Sequence, residues 1–402
     1  MLWRTVALSI PLLFVCFPVG ATDSGVPPAV SGEPSPDAVI AEVPFLRSDE
    51  PNRILVDLAP DNYAPLRMMI DTGAADSVLT PRYAQKLGVS VERLRDTPYR
   101  RATRLGRDLQ FWVDVKSSDT ASKTGWEYGL LGGTFLREYV VEFDFAGRHV
   151  RFLNPERYRV PQTVTAEDEA VVPVRVVENR VLVEVSFEGK PLALLIDTGS
   201  PDTAILSGAA AHKVGINSAP LPGMRAGTVW GPMEVEFAEA ESLRLGPFEL
   251  QHVPVMVAPK GWYNMGSSTD SVIGYDVLSQ FLVRIDYPRQ RLWLRRRSDT
   301  EVTYCGVPYA LQRRAGLLVC PSSRGLWVLG LFPDSDAAHL GILPGDILLP
   351  PAGEKPEGAA SKTLQAIVAG GHLSAWRQQN GTPVEVSLPG RSRDSAADDS
   401  KH

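Results

Sequence analysis

Short apolar runs and alternating apolar and polar positions recur between residues 43 and 297, separated by glycine and proline. Apolar runs of about four to eight residues bounded by turn-forming residues predict strands rather than helices. The clearest predicted strands are residues 53–58, 66–70, 109–115, 181–187, 192–196 and 253–257. The pattern therefore predicts a mainly β fold made of closed or sandwiched sheets.

Two sequence segments each occur twice in this region. One apolar run leads into Ile-Asp-Thr-Gly that ends at Gly73, and a second apolar run leads into the same four residues that end at Gly199. Farther along, two apolar residues precede Gly132 and again precede Gly274. Because both copies keep the same order, they predict two homologous β-barrel lobes fused in one chain. The lobes are predicted to span residues 43–160 and 168–297.

Composition and charge narrow the classes of function. The 402 residues are 44% hydrophobic and 22% charged, which is typical of soluble globular domains. The net charge of −6 and the pI near 5.6 argue against a nucleic-acid partner and against binding to an anionic membrane by bulk charge. The six histidines are scattered without ligand spacing, so no metal site is expected.

The first residues have the pattern of a targeting signal. Arg4 precedes an uncharged apolar run over residues 6–15, and small residues end the pattern at Ala21. This order predicts a signal peptide at residues 1–21 and export, most simply to a periplasm. A membrane anchor is the alternative, but the run is shorter than the roughly 20 residues of a span. No stable membrane insertion is expected after cleavage.

The segments that flank the predicted domains are rich in polar, small and proline residues. Residues 22–42 are predicted to be a flexible leader, which leaves open a role as a propeptide that covers the site. Residues 390–402 are predicted to be a disordered tail. Cys305 and Cys320 remain after cleavage, and either one disulfide or two free thiols fits an exported protein.

The repeated motifs resemble a known signature. An apolar run, then Asp-Thr-Gly-Ser/Ala, then two apolar residues and glycine is similar to aspartic proteases, specifically the bacterial retropepsin-like group. The resemblance implies a single-chain pseudo-dimer with Asp71 and Asp197 as its catalytic pair. Because both lobes lie in one chain, the protein is expected to be a monomer. The resemblance implies no cofactor and a peptide or protein substrate. The residues that it implies for loop support are Thr72, Gly73, Thr198, Gly199 and Ser200.

The chemistry needs two carboxylates close together. Hydrolysis of an amide by water requires one group that accepts a proton and another that donates one. Two neighbouring carboxyl groups share a single proton and so supply both. Ser200 is in position to donate its hydroxyl to Asp197, whereas Ala74 offers nothing to Asp71. The sequence therefore predicts that Asp71 holds the shared proton more often.

The two lobes differ in length between the Asp-Thr-Gly motif and a shared Arg-Leu-Gly. The second lobe is longer there, at the place where the protease family carries its flap. Residues 222–237 are therefore predicted to be a β-hairpin flap over the cleft. The residues expected at the flap are Gly227, Trp230 and Gly231. An ordinary loop of unequal length is the alternative.

The last region has another resemblance. Residues 326–348, with Ala-Ala-x-x-Gly and Pro-Gly-Asp, resemble the most recognisable stretch of a PDZ domain, and the resemblance extends loosely over residues 302–389. It implies a small α+β domain whose loop binds the C-terminal carboxylate of a peptide that adds as a strand. The loop residues are Tyr304, Cys305, Gly306 and Val307. A generic β domain is the alternative.

Together these features predict an exported aspartic endopeptidase. The PDZ-like domain is expected to recruit substrates or to regulate cleavage. A catalytically silent peptide-binding protein on the same fold is the alternative from another class. Intact aspartates in both motifs favour the enzyme, whereas a collapsed cleft favours the binding protein.

Overall fold

The computed structural model describes thirteen parts of the chain: residues 33–48, 51–58, 66–90, 99–104, 110–117, 127–228, 231–259, 262, 269, 271–298, 300–356, 358–379 and 382–388. The fold is mainly β, with 46% strand and 15% helix. The predicted signal peptide, most of the predicted leader and the predicted tail lie outside the described residues. No helix in the described ranges is long and apolar enough to cross a membrane.

Strands and helices are numbered in chain order over the described residues. The strands are β1 (Val39–Pro44), β2 (Leu55–Leu58), β3 (Leu66–Ile70), β4 (Val78–Leu79), β5 (Tyr99–Arg104), β6 (Gln110–Ser117), β7 (Gly129–Leu131), β8 (Val140–Asp144), β9 (His149–Leu153), β10 (Glu169–Val177), β11 (Arg180–Phe187), β12 (Lys190–Ile196), β13 (Ala204–Ser207), β14 (Ala219–Thr228), β15 (Gly231–Leu245), β16 (Phe248–Ala258), β17 (Val272–Ile273), β18 (Phe281–Asp286), β19 (Arg291–Arg296), β20 (Thr303–Tyr304), β21 (Val307–Pro308), β22 (Leu317–Ser322), β23 (Gly325–Leu331), β24 (Ile347–Leu348), β25 (Leu373–Gln379) and β26 (Thr382–Leu388). The helices are a 3₁₀ helix (Pro36–Ala38), α1 (Pro81–Lys86), α2 (Gly133–Leu136), α3 (Gly208–Val214), α4 (Tyr275–Leu278), α5 (Tyr309–Ala315), α6 (Asp336–His339) and α7 (Ala360–Val368).

The two sequence repeats fold with the same strand pairings. In the first, β3 pairs in parallel with β7, β7 pairs antiparallel with β4, and β4 pairs in parallel with β6. In the second, β12, β17, β13 and β16 repeat this scheme in the same order. We call residues 51–153 the first half and residues 169–296 the second half. The strands that end at the two Asp-Thr-Gly motifs, β3 and β12, each have a paired strand on both sides.

Strands from both halves form one continuous sheet. β8 of the first half pairs antiparallel with β18 of the second, and β9 and β19 extend the sheet on either side. Phe143 and Phe152 pack in one apolar cluster with Val183 and Ile285. This shared core holds the two motif strands in a defined relation to each other.

The first strand corrects a predicted boundary. The sequence predicts a flexible leader through residue 42, whereas β1 begins at Val39 and pairs with β9. Ala41 and Val43 are buried in the shared core. Alternate apolar residues thus give this segment a buried face, which outweighs the proline-rich composition of the residues before it.

Local capping places a short helix after the motif loop in each half. The Thr80 hydroxyl accepts from the Tyr83 amide at 3.2 Å at the start of α1, and the Ser207 hydroxyl accepts from the Ala210 amide at 3.1 Å at the start of α3. α3 ends at Gly215, which has a left-handed φ of 86° that favours glycine. The motif loops therefore lie between a buried strand and a capped helix.

Residues 300–388 form a C-terminal module with its own sheet. Its order is β22-β23-β24-β25-β26, packed against α5, α6 and α7. A short helix covers the Ala-Ala segment, and β24 follows Pro-Gly-Asp. Cys305 and Cys320 form a disulfide with Cα atoms 5.2 Å apart, so the first of the two alternatives for these cysteines is the one observed.

Candidate active site

The two Asp-Thr-Gly loops meet at the interface between the halves. The Thr72 amide donates to Oγ1 of Thr198 at 3.1 Å, and the Thr198 amide donates to Oγ1 of Thr72 at 3.0 Å. The Thr72 hydroxyl donates to the Ile196 carbonyl at 2.7 Å, and the Thr198 hydroxyl donates to the Ile70 carbonyl at 2.8 Å. Both threonines are fully buried. Four reciprocal bonds therefore hold one loop against the other.

Each aspartate faces the glycine of the opposite loop. A Cβ atom on Gly73 would lie 2.5 Å from Cγ of Asp197, and one on Gly199 would lie 2.6 Å from Cγ of Asp71. The two carboxyl groups also share a hydrogen bond. Only glycine leaves room for this approach, so the third residue of each motif sets the separation of the carboxyl groups.

Backbone amides fix both carboxyl groups in the same way. Oδ1 of Asp71 accepts from the amides of Gly73 and Ala74, each at 2.9 Å. Oδ1 of Asp197 accepts from the amides of Gly199 at 2.9 Å and Ser200 at 3.2 Å. The Asp71 amide donates to the carbonyl of Leu131 in β7, and the Asp197 amide donates to the carbonyl of Ile273 in β17. The apolar-apolar-Gly segments thus support the two loops. The two carboxyl groups are thereby held in fixed orientations.

The electrostatic surroundings of the two aspartates differ. Burial raises the pKa of both carboxyl groups. The pKa of Asp197 is raised well above its ordinary range, because the charge of Asp71 adds to the effect of burial. The pKa of Asp71 is held lower by the hydrogen bond from Asp197, the loop amides and the charge of Arg53. Both carboxyl groups therefore have a raised pKa, and the charge of Arg53 favours the ionised form of Asp71.

The hydrogen bond that the sequence predicts from the Ser200 hydroxyl to Asp197 is not formed. The Ser200 hydroxyl is buried and has no hydrogen-bond partner among the described residues, so it does not donate to Asp197. It is directed toward Gly274, where a Cβ atom would lie 3.1 Å from it. Only the Ser200 amide reaches the carboxyl group. The sequence could not show the rotamer of Ser200 or the position of Arg53.

Arg53 and Asn52 join the first half to the second motif loop. Arg53 donates to the Gly199 carbonyl, and Asn52 donates to the Pro201 carbonyl at 2.7 Å. Sequence reasoning missed both residues, although two polar residues where the predicted strand 53–58 begins were a usable signal. Arg53 thus both positions the Asp197 loop and adds positive charge beside Asp71.

Two further buried carboxyl groups, those of Asp202 and Asp276, lie next to the second motif loop, and sequence reasoning missed both. Burial and the charge of Asp276 raise the pKa of Asp202 to about 7. Burial raises the pKa of Asp276 to about 6, although hydrogen bonds from Thr303 and the next loop lower it. The signal for Asp202 was its place inside the repeated motif, where Asp76 is its counterpart.

The extra residues of the second half form a long β-hairpin. β14 and β15 pair antiparallel, with Gly227 opposite Pro232 and Thr228 opposite Gly231. Trp230 lies outside the described residues. A bulge interrupts the pairing between Pro220 and residue 225 on β14, and β15 continues well beyond the predicted end at residue 237. A hairpin rather than an irregular loop occupies the predicted segment.

The predicted peptide-carboxylate loop lies in the short hairpin of β20 and β21. The Cys305 amide donates to Oδ2 of Asp276 at 2.7 Å, and the Gly306 amide donates to Oδ1 at 2.9 Å. Tyr304 and Val307 are buried on either side. This loop therefore binds a carboxylate, but the carboxylate belongs to the chain itself.

Comparisons with known proteins bear on part of the chain. Residues 183–277, about a quarter of the chain, match the sequence model of the aspartyl protease family. The chain is similar to a retropepsin-like aspartic protease from Rickettsia conorii, with 20% identity and a TM-score of 0.24 over 31% of this chain and 88% of that one. It is similar to the EIAV protease complexed with the inhibitor HBY-793, with 22% identity and a TM-score of 0.20 over 25% and 85%. No curated protein matches the chain.

The family match covers the second Asp-Thr-Gly motif and the apolar-apolar-Gly segment behind it. Among the described residues, no group of three or more His, Cys, Asp or Glu side chains is placed to hold a metal ion. The match supports a retropepsin-like fold and a protease-type function.

Proposed function

We propose that the chain is an aspartic endopeptidase in which Asp71 and Asp197 activate a water molecule. The observation that carries this proposal is the pair of buried threonine bonds that fixes two carboxyl groups face to face. Such rigid support is what a two-carboxyl site requires, because proton transfer depends on short distances to the reacting atoms. The aspartyl protease match at the second motif supports the same function.

The asymmetric proton gives each aspartate a role. Ionised Asp71 accepts a proton from water as the water oxygen attacks the peptide carbonyl carbon, while Asp197 donates its proton to the carbonyl oxygen. The product is a neutral gem-diol. Asp71 then donates its proton to the leaving nitrogen as the C–N bond breaks, and Asp197 takes a proton from one hydroxyl. Both aspartates return to their starting states.

The proposed architecture is a single-chain pseudo-dimer of two acid-protease lobes, residues 43–160 and 168–297. The repeated strand pairings support it. The β14–β15 hairpin is the proposed flap, with Gly227, Trp230 and Gly231 at its end. Since both lobes are in one chain, a monomer carries a complete site.

We further propose that the protein is exported after cleavage of residues 1–21 and acts in a periplasm. The signal-like N-terminus and the disulfide support an oxidising compartment. Residues 302–389 are the proposed PDZ-like domain, whose short helix and Pro-Gly-Asp turn fit that fold. Its proposed part is recruitment of substrates, through a peptide C-terminus, or regulation.

A catalytically silent peptide-binding protein is the second candidate function. The observation in its favour is that the C-terminal module packs on the second half beside the Asp197 loop. A cleft that is covered in this way favours binding over cleavage, because a partner does not reach the two carboxyl groups.

The deciding experiment compares the chain lacking residues 1–21 with its Asp71→Asn and Asp197→Asn variants. Each protein is incubated with a mixed peptide library from about pH 4 to 8, and products are identified by mass spectrometry. Cleavage by the parent chain alone supports the endopeptidase. Cleavage that both variants retain, or the absence of cleavage at every pH, contradicts it, and retention of uncut peptides then favours the binding protein.

A further inference from the structure

The side of each motif strand that carries the aspartate is identified by alternation. Side chains two residues apart in a strand point to the same face, so Met69 lies on the Asp71 side of β3 and Leu195 lies on the Asp197 side of β12. Their neighbours Ile70 and Ile196 point into the shared core instead. A peptide that reaches both carboxyl groups must lie across these two aspartate-side faces.

The aspartate-side faces of the two halves are covered by different parts of the chain. Met69 packs with Leu55, Tyr128 and Leu130, all from the first half. Leu195 packs in a cluster with residues of its own half, Ile205, Met256 and Val272 among them, and with residues of the C-terminal module. Those from the module include Tyr304, Tyr309, Leu318 and Cys320. Among the described residues, the module therefore joins the cluster on the Asp197 side and not the one around Met69.

Tyr304 is one of the module residues that are buried in this cluster. Its side chain is only 2% exposed, and its hydroxyl donates to the Met256 sulfur at 3.7 Å. The preceding carbonyl, of Thr303, accepts from the Thr203 hydroxyl at 3.3 Å. Leu195 and Val272, which flank the Asp197 loop, are almost fully buried in the same cluster.

Polar contacts hold this segment in place. Asp276 accepts from the Thr303 hydroxyl at 2.6 Å and from the amides of Cys305 and Gly306. On the module side, a disulfide joins Cys305 to Cys320, and Gln312 donates to the carbonyl of Tyr304 at 2.9 Å. The segment is thus fixed both to the second half and to β22.

The same segment continues onto the proposed flap. The Phe237 ring of β15 packs on Tyr309 and Phe332, with centroids 6.3 and 5.6 Å away. The Tyr309 hydroxyl donates to Glu239 at 2.8 Å, and Arg313 forms an ion pair with the same carboxylate at 2.8 Å. The base of the hairpin and the covering segment therefore form one packed unit.

We propose that residues 303–309 form an inhibitory plug that occupies the Asp197 side of the substrate cleft and must move before a peptide binds fully. This inference rests on the proposed function in one respect: it takes the aspartate-side faces as the place where a peptide substrate lies. It assigns regulation, rather than recruitment, to the contact between the module and the second half. A plug that is closed most of the time lowers the apparent affinity by the fraction of time that the cleft is open.

The test uses two variants that weaken the plug differently, in the full chain lacking residues 1–21. Tyr304→Ala removes the buried ring, and Asp276→Asn keeps the side-chain volume while weakening acceptance from the two amides. Leu364→Ala is the matched control, because Leu364 is fully buried in the core of the same module. Folding is checked by circular dichroism, so that Asp276→Asn decides the matter if Tyr304→Ala does not fold.

Two readouts separate the plug from catalysis. Cleavage of the peptide library is measured as kcat/KM, and retention of peptides is measured on the Asp71→Asn, Asp197→Asn background. We expect the plug variants to gain about tenfold in both readouts and the Leu364→Ala control to change neither. A gain in retention without any cleavage supports the plug and contradicts the endopeptidase. Folded plug variants that match the parent chain in both readouts, or a control that gains equally, overturn the plug.

Discussion

Arg284 and Glu142 lie opposite each other on β18 and β8, the two strands that join the halves, and each side chain is only 1% exposed. The Arg284 Nε atom donates to Glu142, and Nη1 donates to the Tyr158 hydroxyl at 2.9 Å. The Arg284 guanidinium also lies 4.2 Å from the centroid of the Trp293 ring. A buried charge pair thus lies in the sheet that sets the relation between the motif loops.

Removing one partner of this pair should destabilise the protein strongly. Glu142→Ala leaves the Arg284 charge buried, and we expect a loss of about 3–5 kcal/mol in the free energy of unfolding, measured with urea. The matched control is Glu249→Ala, which removes the partner of exposed Arg244. The control should lose less than about 1 kcal/mol. Similar losses for both variants contradict the importance of burial for this pair.

The threonine bonds predict a dependence on the hydroxyl rather than on side-chain volume. Thr72→Val keeps the shape but loses the bonds to Thr198 and Ile196, so the two carboxyl groups are held less rigidly. We expect kcat on a cleaved peptide to fall about a hundredfold. Thr72→Ser retains the hydroxyl and should keep most of the activity. Equal loss in the serine and valine variants contradicts this interpretation.

Arg53 should set the acid limit of activity. Its charge favours the ionised form of Asp71, so Arg53→Met should raise the pKa of Asp71. A raised pKa means that activity disappears at a higher pH on acidification. We expect the acid limb of the kcat/KM profile to move up by about one pH unit. Arg53→Lys keeps the charge and serves as the control, and an unmoved limb in Arg53→Met counts against the assignment of charge to Asp71.

Asp202 should make stability depend on pH. Its pKa is raised to about 7 in the folded protein, so folding favours the protonated acid. This contribution is complete below the ordinary pKa of an aspartate and is lost as pH rises toward 7. Asp202→Asn imitates the neutral acid, and we expect its Tm to exceed that of the parent chain by a few degrees at pH 8 but not at pH 4. Equal differences at both pH values contradict the raised pKa.

Ser200 offers a simpler test of the proton assignment. Because its hydroxyl does not reach Asp197, Ser200→Ala should leave the pH profile of kcat/KM unchanged. A profile that moves on this substitution supports instead the bond between the Ser200 hydroxyl and Asp197 that the sequence predicts.

Local patterns were enough to locate several of the strands and both aspartates. The predicted strand at residues 66–70 has the bounds of β3, and that at residues 192–196 lies within β12. These segments are short apolar runs that end at turn-forming residues, and such local preferences survive folding. The repeat identified Asp71 and Asp197 because each motif needs the same strand, loop and glycine wherever it occurs.

Only the tertiary structure decided the electrostatic surroundings of the two aspartates and what lies beside the pair. Burial and the charge of Arg53 determine the pKa of Asp71, and the packing of Tyr304 covers the face next to Asp197. Both effects arise between residues that are far apart in the chain. Desolvation and Coulomb energies depend on distances in space, which an amino-acid pattern does not contain. The sequence by itself therefore determined the chemical groups, and the folded chain decided their charge and their access.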